Sequence, residues 1–166
     1  MAEPVSRQLI RAARDVQGMY NRLVLLVAPT GYGKTQALQE FCEETGTSLI
    51  NVNLELSRRM LELTARQRTM RLPVLFSEML EQRQPEVVAL DNLDILFDKS
   101  LQQDPLRLLQ SASRNRSVVA TWNGAATGRK LTYAEVGHPE YRSYELDDVV
   151  VVNMAGEALH QTDANK

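Results

Sequence analysis

One cysteine, Cys42, stands in the sequence, so no internal disulfide can staple the fold. No apolar run reaches the roughly 18 residues that a membrane-crossing helix needs, and the start lacks the basic-then-apolar pattern of a secretory signal. These absences lead to the expectation of a cytoplasmic protein with no membrane partner. Charge of one sign is also missing: 19 Lys and Arg against 21 Asp and Glu leave a net charge of −2, so any DNA contact has to be regional. Aromatic residues make up only 5%, and the most arginine-rich segment has none interleaved for base stacking. What is present is ordinary for a globular chain. Apolar residues at 43% and charged residues at 24% exclude the disordered class, and 166 residues suit one domain that buries about 68–70% of its unfolded surface.

Pro4 opens a stretch in which Val5, Leu9, Ala12 and Val16 recur at helical spacing, with Gly18 placed to end it. Arg7, Arg11 and Arg14 fall on the opposite, solvated face. Leu23 to Ala28 is a continuous apolar run, as in a strand buried on both faces. A helix from Lys34 to Glu44 with Ala37, Leu38 and Phe41 on one face runs into Gly46, and a strand from Ser48 to Val52 follows. Leu54 to Arg71 is helix-prone, and Pro73 is expected to start another helix ending near Gln84. Strands at Val87–Leu90 and Ser117–Trp122 flank a helix that starts near Pro105 and carries Leu106, Leu108 and Leu109. Leu131 to Val136 and Val149 to Val152 are further strand candidates, and His160 to Lys166 reads as a frayed tail. Alternating strands and helices predict a parallel α/β sheet.

Between the first strand and its helix lies Ala28-Pro-Thr-Gly-Tyr-Gly-Lys-Thr35, which has the spacing of a Walker A phosphate loop in the strand-loop-helix context that gives the motif meaning. Gly31 and Gly33 let successive backbone N–H groups close round a phosphate, while the helix start turns its positive end to the same anion. Lys34 is expected to reach the β and γ phosphates and the Thr35 hydroxyl to ligate Mg²⁺. The nucleotide-binding set is Pro29, Thr30, Gly31, Tyr32, Gly33, Lys34, Thr35 and Gln36. Ala28 stands where a glycine is usual, at the end of the strand rather than against the phosphate.

Val87-Val-Ala-Leu-Asp91 has the form of a Walker B strand, an apolar run ending in an acid at the carboxyl edge where ligands of α/β sheets collect. Asp91 is expected to hold Mg²⁺ through a water. Asn92 follows; an amide orients water but takes no proton, so general-base work is either weak or moved to Asp94, which alternatively caps a helix. The strand ending in Asn123 brings polar groups beside the γ-phosphate if it is inserted between the two Walker strands, with Thr121 as the substitute; Asn123-Gly124 is also a turn signal in its own right.

The motifs APTGYGKT, VVALDNLD and VVATWN together resemble the AAA+ branch of P-loop ATPases over Leu23 to Asn123. In many ATPases of that class a water-polarising glutamate stands where Asn92 is, and Asn123 resembles the sensor-1 residue. The short length and the Asp-Asn pair resemble the small P-loop family, often called BrxF, of type 3 BREX phage-defence systems. That resemblance implies a bacterial cytoplasmic protein working with a larger ATPase, a DNA methyltransferase and a phosphatase-like partner on phage DNA. With the stretch that follows Asn123, no helical lid of the kind that carries sensor 2 in full AAA+ proteins is expected. A neighbouring subunit's arginine is therefore expected to complete the site, with Arg114, Arg116 and Arg129 as candidates.

Arg58, Arg59, Arg66, Arg68 and Arg71 cluster where such proteins place elements that touch DNA or neighbours. The alternative is a solvated face pairing with Glu55 and Glu62. The acidic stretch Glu145 to Asp148 offers a docking surface for another copy's arginines. The expectation is a three-layer P-loop NTPase fold with a five-stranded, mostly parallel sheet and no C-terminal helical lid. It divides into an N-terminal helix over 1–20, a nucleotide-binding core over 23–153 and a flexible tail over 154–166. ATP and Mg²⁺ are the expected cofactors, and Lys34, Asp91, Asn92, Asp94 and Asn123 the candidate catalytic residues of a slow ATPase acting as a homo-oligomer or with a larger ATPase. A nucleotide-dependent assembly switch is the first alternative. A small-molecule kinase is the second, disfavoured because Gly128 to Lys130 makes a poor lid.

Overall fold

Continuous apolar runs become the centre of the sheet, because a strand covered on both faces has no solvent side to mark with polar residues. The computed structural model describes residues 3–82 and 86–154. Its elements in chain order are α1 (Val5–Asp15), β1 (Leu23–Ala28), α2 (Lys34–Thr45), β2 (Ser48–Asn51), α3 (Val52–Arg59), α4 (Ala65–Glu81), β3 (Val87–Asp91), α5 (Pro105–Ala112), β4 (Ser117–Thr127), β5 (Lys130–Tyr133), β6 (Arg142–Glu145) and β7 (Val150–Asn153). Five strands lie parallel in the order β2-β3-β4-β1-β7. β4 therefore sits between β1 and β3, with Leu23 opposite Val118 and Ala28 opposite Asn123.

Period-two alternation divides these strands between two cores. Leu23, Leu25 and Val27 of β1 and Val118, Ala120 and Trp122 of β4 face the layer made by α3, α4 and α5. Val24, Leu26, Ala89 and Val119 face the opposite layer, where α1 supplies Leu9 and Ala12 and α2 supplies Ala37, Leu38 and Phe41. This is the expected three-layer arrangement. Among the described residues no helix is long and apolar enough to cross a membrane.

The structure corrects the sequence expectation in several places. Pro73 does not open a helix but lies inside α4, while the stretch expected as one helix from Leu54 breaks after Arg59. Thr64 restarts the chain with a capping box: Gln67 N–H donates to its hydroxyl at 3.2 Å, and the Gln67 side chain accepts from Thr64 N–H at 2.9 Å. Proline in mid-helix removes the bond to the carbonyl four residues back, here that of Thr69. Gln103 fills the vacancy by donating its amide to Thr69 O at 3.1 Å. β2 stops at Asn51, which caps α3 by accepting Leu54 N–H at 3.1 Å. α1 ends at Asp15, and Val16–Gly18 form a 3₁₀ turn. The helix end expected near Gln84 and the tail from His160 lie outside the described residues. Met154 is described, and its N–H donates to Val27 O at 2.9 Å.

The largest departure is β4. Asn123-Gly124 is no turn, and the strand runs on to Thr127. Its second half pairs antiparallel with β5, which pairs antiparallel with β6, so two more strands extend the five. The bend falls instead at Gly128 (φ 60). β5 ends at Tyr133, short of Val136. Gly124 belongs in the strand for a steric reason: a Cβ there would be driven into the Thr132 carbonyl, whose oxygen accepts the Trp122 indole N–H at 3.0 Å. Gly124→Ala is accordingly expected to lower folding stability by about 2–3 kcal/mol, read as a drop in the urea midpoint at unchanged slope.

Candidate nucleotide site

The loop after β1 turns through two glycines in left-handed conformations, Gly31 (φ 93) and Gly33 (φ 86). A Cβ at either would meet nothing within 4 Å, so the demand for glycine is torsional. Gly33 precedes α2, whose first residue, Lys34, is only 7% exposed. Its ammonium donates to Ala28 O and Pro29 O, both at 2.9 Å. Two of its three donors thus close the loop on itself and one is left over. Burial pushes the Lys34 pKa below 10.5, while the charges of Asp91 and then Asp94 pull it back up.

Asp91 ends β3, 6% exposed. Both its oxygens are used: Thr35 Oγ1 donates to Oδ2 and Thr121 Oγ1 to Oδ1, each at 2.7 Å. A hydroxyl and a carboxylate side by side at a helix N-terminus are hard oxygen donors of the kind Mg²⁺ takes with phosphate and water. With the glycine loop and Lys34, the set fits a nucleotide phosphate and its metal. Thr121 joins the site as a partner of Asp91 rather than as a substitute for Asn123.

Asn123 instead engages Asp94, its amide donating to Oδ1 at 3.0 Å and standing 3.3 Å from Oδ2. The Tyr133 hydroxyl donates to the same Oδ1 at 2.7 Å. Asp94 begins a 3₁₀ turn, Asp94–Phe97, and does not serve as its cap. A cleft of about 630 Å³ opens here, lined by Pro29 and Thr30 of the phosphate loop, Asp94, Asn123 with the two residues after it, and a second stretch that includes Tyr133, Glu135, Val136 and His138. Asn92 does not line it. That residue is exposed with φ 56, and its carbonyl accepts Asn53 N–H at 3.0 Å. Sequence reasoning missed Tyr133, Glu135 and His138, which reach the site only because β4 overshoots Asn123.

The remaining expected residues lie elsewhere. Tyr32 and Gln36 are exposed, Gln36 standing 3.4 Å from Glu40. Arg114 and Arg116 flank the amino end of β4, at the opposite edge of the sheet from the loop. Arg114 lies over the Tyr20 ring at 5.0 Å and donates to Asn21 at 3.3 Å, and Arg116 has two buried nitrogens without a partner. Arg129, in the hairpin bend, donates to Leu146 O at 3.1 Å and stands 3.9 Å from Glu145. None of the three lines this chain's cleft. Arg58, Arg66 and Arg71 are exposed. Arg59 pairs with Glu55 at 4.0 Å, and Arg68 donates to the carbonyls of Met60 and Leu63, both at 3.1 Å, which ties down the α3–α4 connection. In the acidic stretch, Asp148 accepts Asn21 N–H at 2.8 Å.

A family model described as "ATPase family associated with various cellular activities (AAA)" matches residues 24–126. The chain belongs to the AAA ATPase family. The matched span holds the phosphate loop, Asp91, Asp94 and Asn123, and AAA ATPase domains bind ATP, usually with Mg²⁺. Among solved structures the chain is similar to PCH-2 of C. elegans, at 17% identity and a TM-score of 0.46, over 90% of this chain and 41% of that one. No curated protein matches it in sequence.

A ligand held only by the folded state stabilises it by about 2.7 kcal/mol at a hundredfold excess over its Kd. ATP with Mg²⁺ is expected to raise the melting temperature accordingly, and Lys34→Ala to abolish most of the rise. Equal responses from the two proteins in a thermal shift measurement would refute the phosphate-loop assignment.

Proposed function

We propose that this AAA protein binds ATP with Mg²⁺ through Lys34, Thr35 and Asp91 and hydrolyses it slowly, with Asp94 rather than Asn92 orienting the attacking water. The observation that carries this reading is the pairing of Asp94 with Asn123 at the cleft wall beside Pro29 and Thr30. A carboxylate accepts a proton and an amide does not, and general-base catalysis is worth about 10² to 10⁴ in rate. Mg²⁺, when bound, supplies charge neutralisation of the phosphate oxygens. Lys34 and the loop N–H groups hold the phosphates, and Asn123 holds the carboxylate facing them.

The rest of the reading concerns assembly. AAA+ proteins commonly oligomerise, and among the described residues the lining of this cleft carries two carboxylates, Asp94 and Glu135, and no Lys or Arg, a setting that attracts a cation from a neighbour. Arg114, Arg116 and Arg129 are placed away from their own cleft, as residues acting in trans have to be. The Asp91-Asn92 pair supports a place in the BrxF family, hence a role in phage defence on DNA with a larger ATPase, for which the exposed Arg58, Arg66 and Arg71 are the proposed contacts. The proposed unit is one nucleotide-binding domain over 23–153 with the N-terminal helix packed on it. Asn92 favours a second reading, an assembly switch with negligible turnover.

Phosphate release with and without DNA separates the two readings. Asp94→Asn is expected to lower turnover about a hundredfold with ATP binding kept, whereas Asn92→Glu, off the cleft, changes it less than about threefold. Sedimentation with a non-hydrolysable ATP analogue is expected to show concentration-dependent self-association that loses its nucleotide dependence when the trans arginine is replaced. A strict monomer in every condition would overturn the homo-oligomer.

A further inference from the structure

We infer that Tyr133 is a positioning residue for hydrolysis, fixing the Asp94 carboxylate so that one of its oxygens is left to hold the attacking water. The inference rests on the reading of Asp94 above. Tyr133 is 5% exposed and restrained from several sides. Its ring stacks on Phe97 with centroids 3.4 Å apart and planes 5° from parallel, and meets Trp122 edge-on at 6.0 Å. Its backbone pairs with Gly124 across β4 and β5. The next residue, Ala134, takes a left-handed turn (φ 62) and donates its N–H to Asn123 O at 2.9 Å. A ring held this firmly leaves its hydroxyl little choice of direction, and that direction is Asp94.

The distribution of hydrogen bonds on the carboxylate is unequal. Oδ1 takes the short bond from Tyr133 and the better bond from Asn123, whereas Oδ2 keeps only the 3.3 Å approach of the Asn123 amide. Two donors on one oxygen stop the group from swinging about its last side-chain torsion, a broad one in aspartate. They hold Oδ2 ready to accept. Burial and the bond to Asp94 push the Tyr133 hydroxyl far above its ordinary value of 10, so it remains a donor throughout the working pH range. In the step this serves, a water oxygen bonds to the γ-phosphorus as the bond from phosphorus to the β–γ bridging oxygen breaks. The water's proton passes to Oδ2, and ADP and phosphate leave. Tyr133 transfers nothing; it acts through Asp94.

The test uses Tyr133→Phe, which keeps the ring and removes one O–H, together with Asp94→Asn and the double variant. Loss of one hydrogen bond to a charged group corresponds to about a tenfold effect. Tyr133→Phe is therefore expected to lower kcat about tenfold while KM for ATP and ADP affinity stay unchanged, and to lower the melting temperature of the nucleotide-free protein by no more than a few degrees, as loss of one hydrogen bond does. Affinity for ADP–aluminium fluoride, measured by calorimetry, is expected to fall by a similar factor. In the Asp94→Asn background the same change adds less than about twofold, since a group acting only through Asp94 has nothing left to position. Wild-type kcat in Tyr133→Phe, or an equal loss in both backgrounds, overturns the inference and leaves the role of Asp94 standing if Asp94→Asn is itself slow. Undiminished turnover in Asp94→Asn overturns both. A wild-type protein that binds ATP without releasing phosphate overturns the hydrolytic reading and this inference with it, while leaving the phosphate loop intact.

Discussion

A carboxylate that is almost wholly out of water is the constraint round which the site is built. Burying an ionised group without partners is costly, and Asp91 survives burial because two threonine hydroxyls and the neighbouring Lys34 charge meet it there. Those partners come from two elements, α2 and β4, and converge on a third, β3. Thr35 requires the loop to turn directly into α2, Thr121 requires β4 to lie next to β3, and Asp91 itself requires β3 to end at the edge where β1 ends. The strand order β2-β3-β4-β1-β7 is thus a condition for the charge being tolerable as well as a packing outcome.

The side of the cleft away from the loop is made by different means. Aromatic residues are scarce, yet the one tryptophan packs with Phe97, Tyr133 and Tyr144 under the β5–β6 hairpin. Here stacking and edge contacts do what charge does at Asp91. They immobilise a polar tip by seizing the body of the side chain. The two halves meet at Asn123, which ends the parallel register with β1 and begins the route into the hairpin.

Much of this was legible beforehand because its determinants are local. An apolar run, a glycine loop, a lysine and a threonine in succession specify β1, the phosphate loop and the start of α2 within fourteen or so positions of one another. Asp91 follows from the same logic at the end of β3, and Asn123 at the end of the stretch of β4 that runs parallel to β1. What was not legible depends on residues far apart in sequence. Pro73 reads as a helix start because nothing nearby announces that Gln103 will satisfy the Thr69 carbonyl. Asn123-Gly124 carries a strong turn signal, and tertiary packing overrides it: glycine is needed there so that the Trp122 indole and the Thr132 carbonyl can meet. Tyr133 carried no signal at all, since its relation to Asp94 exists only once the overshooting strand has folded back.

That overshoot has a mechanical corollary. β4 is one uninterrupted span of eleven residues, its first half clamped in the parallel sheet and its second cantilevered into the hairpin. At about 3.3 Å per residue, Thr127 stands some 13 Å beyond Asn123, with paired backbone and no flexible joint between them. A strut of this kind has no slack. Whatever grips the hairpin tip, where Arg129 and Glu145 are exposed, bears directly on the amide that faces Asp94.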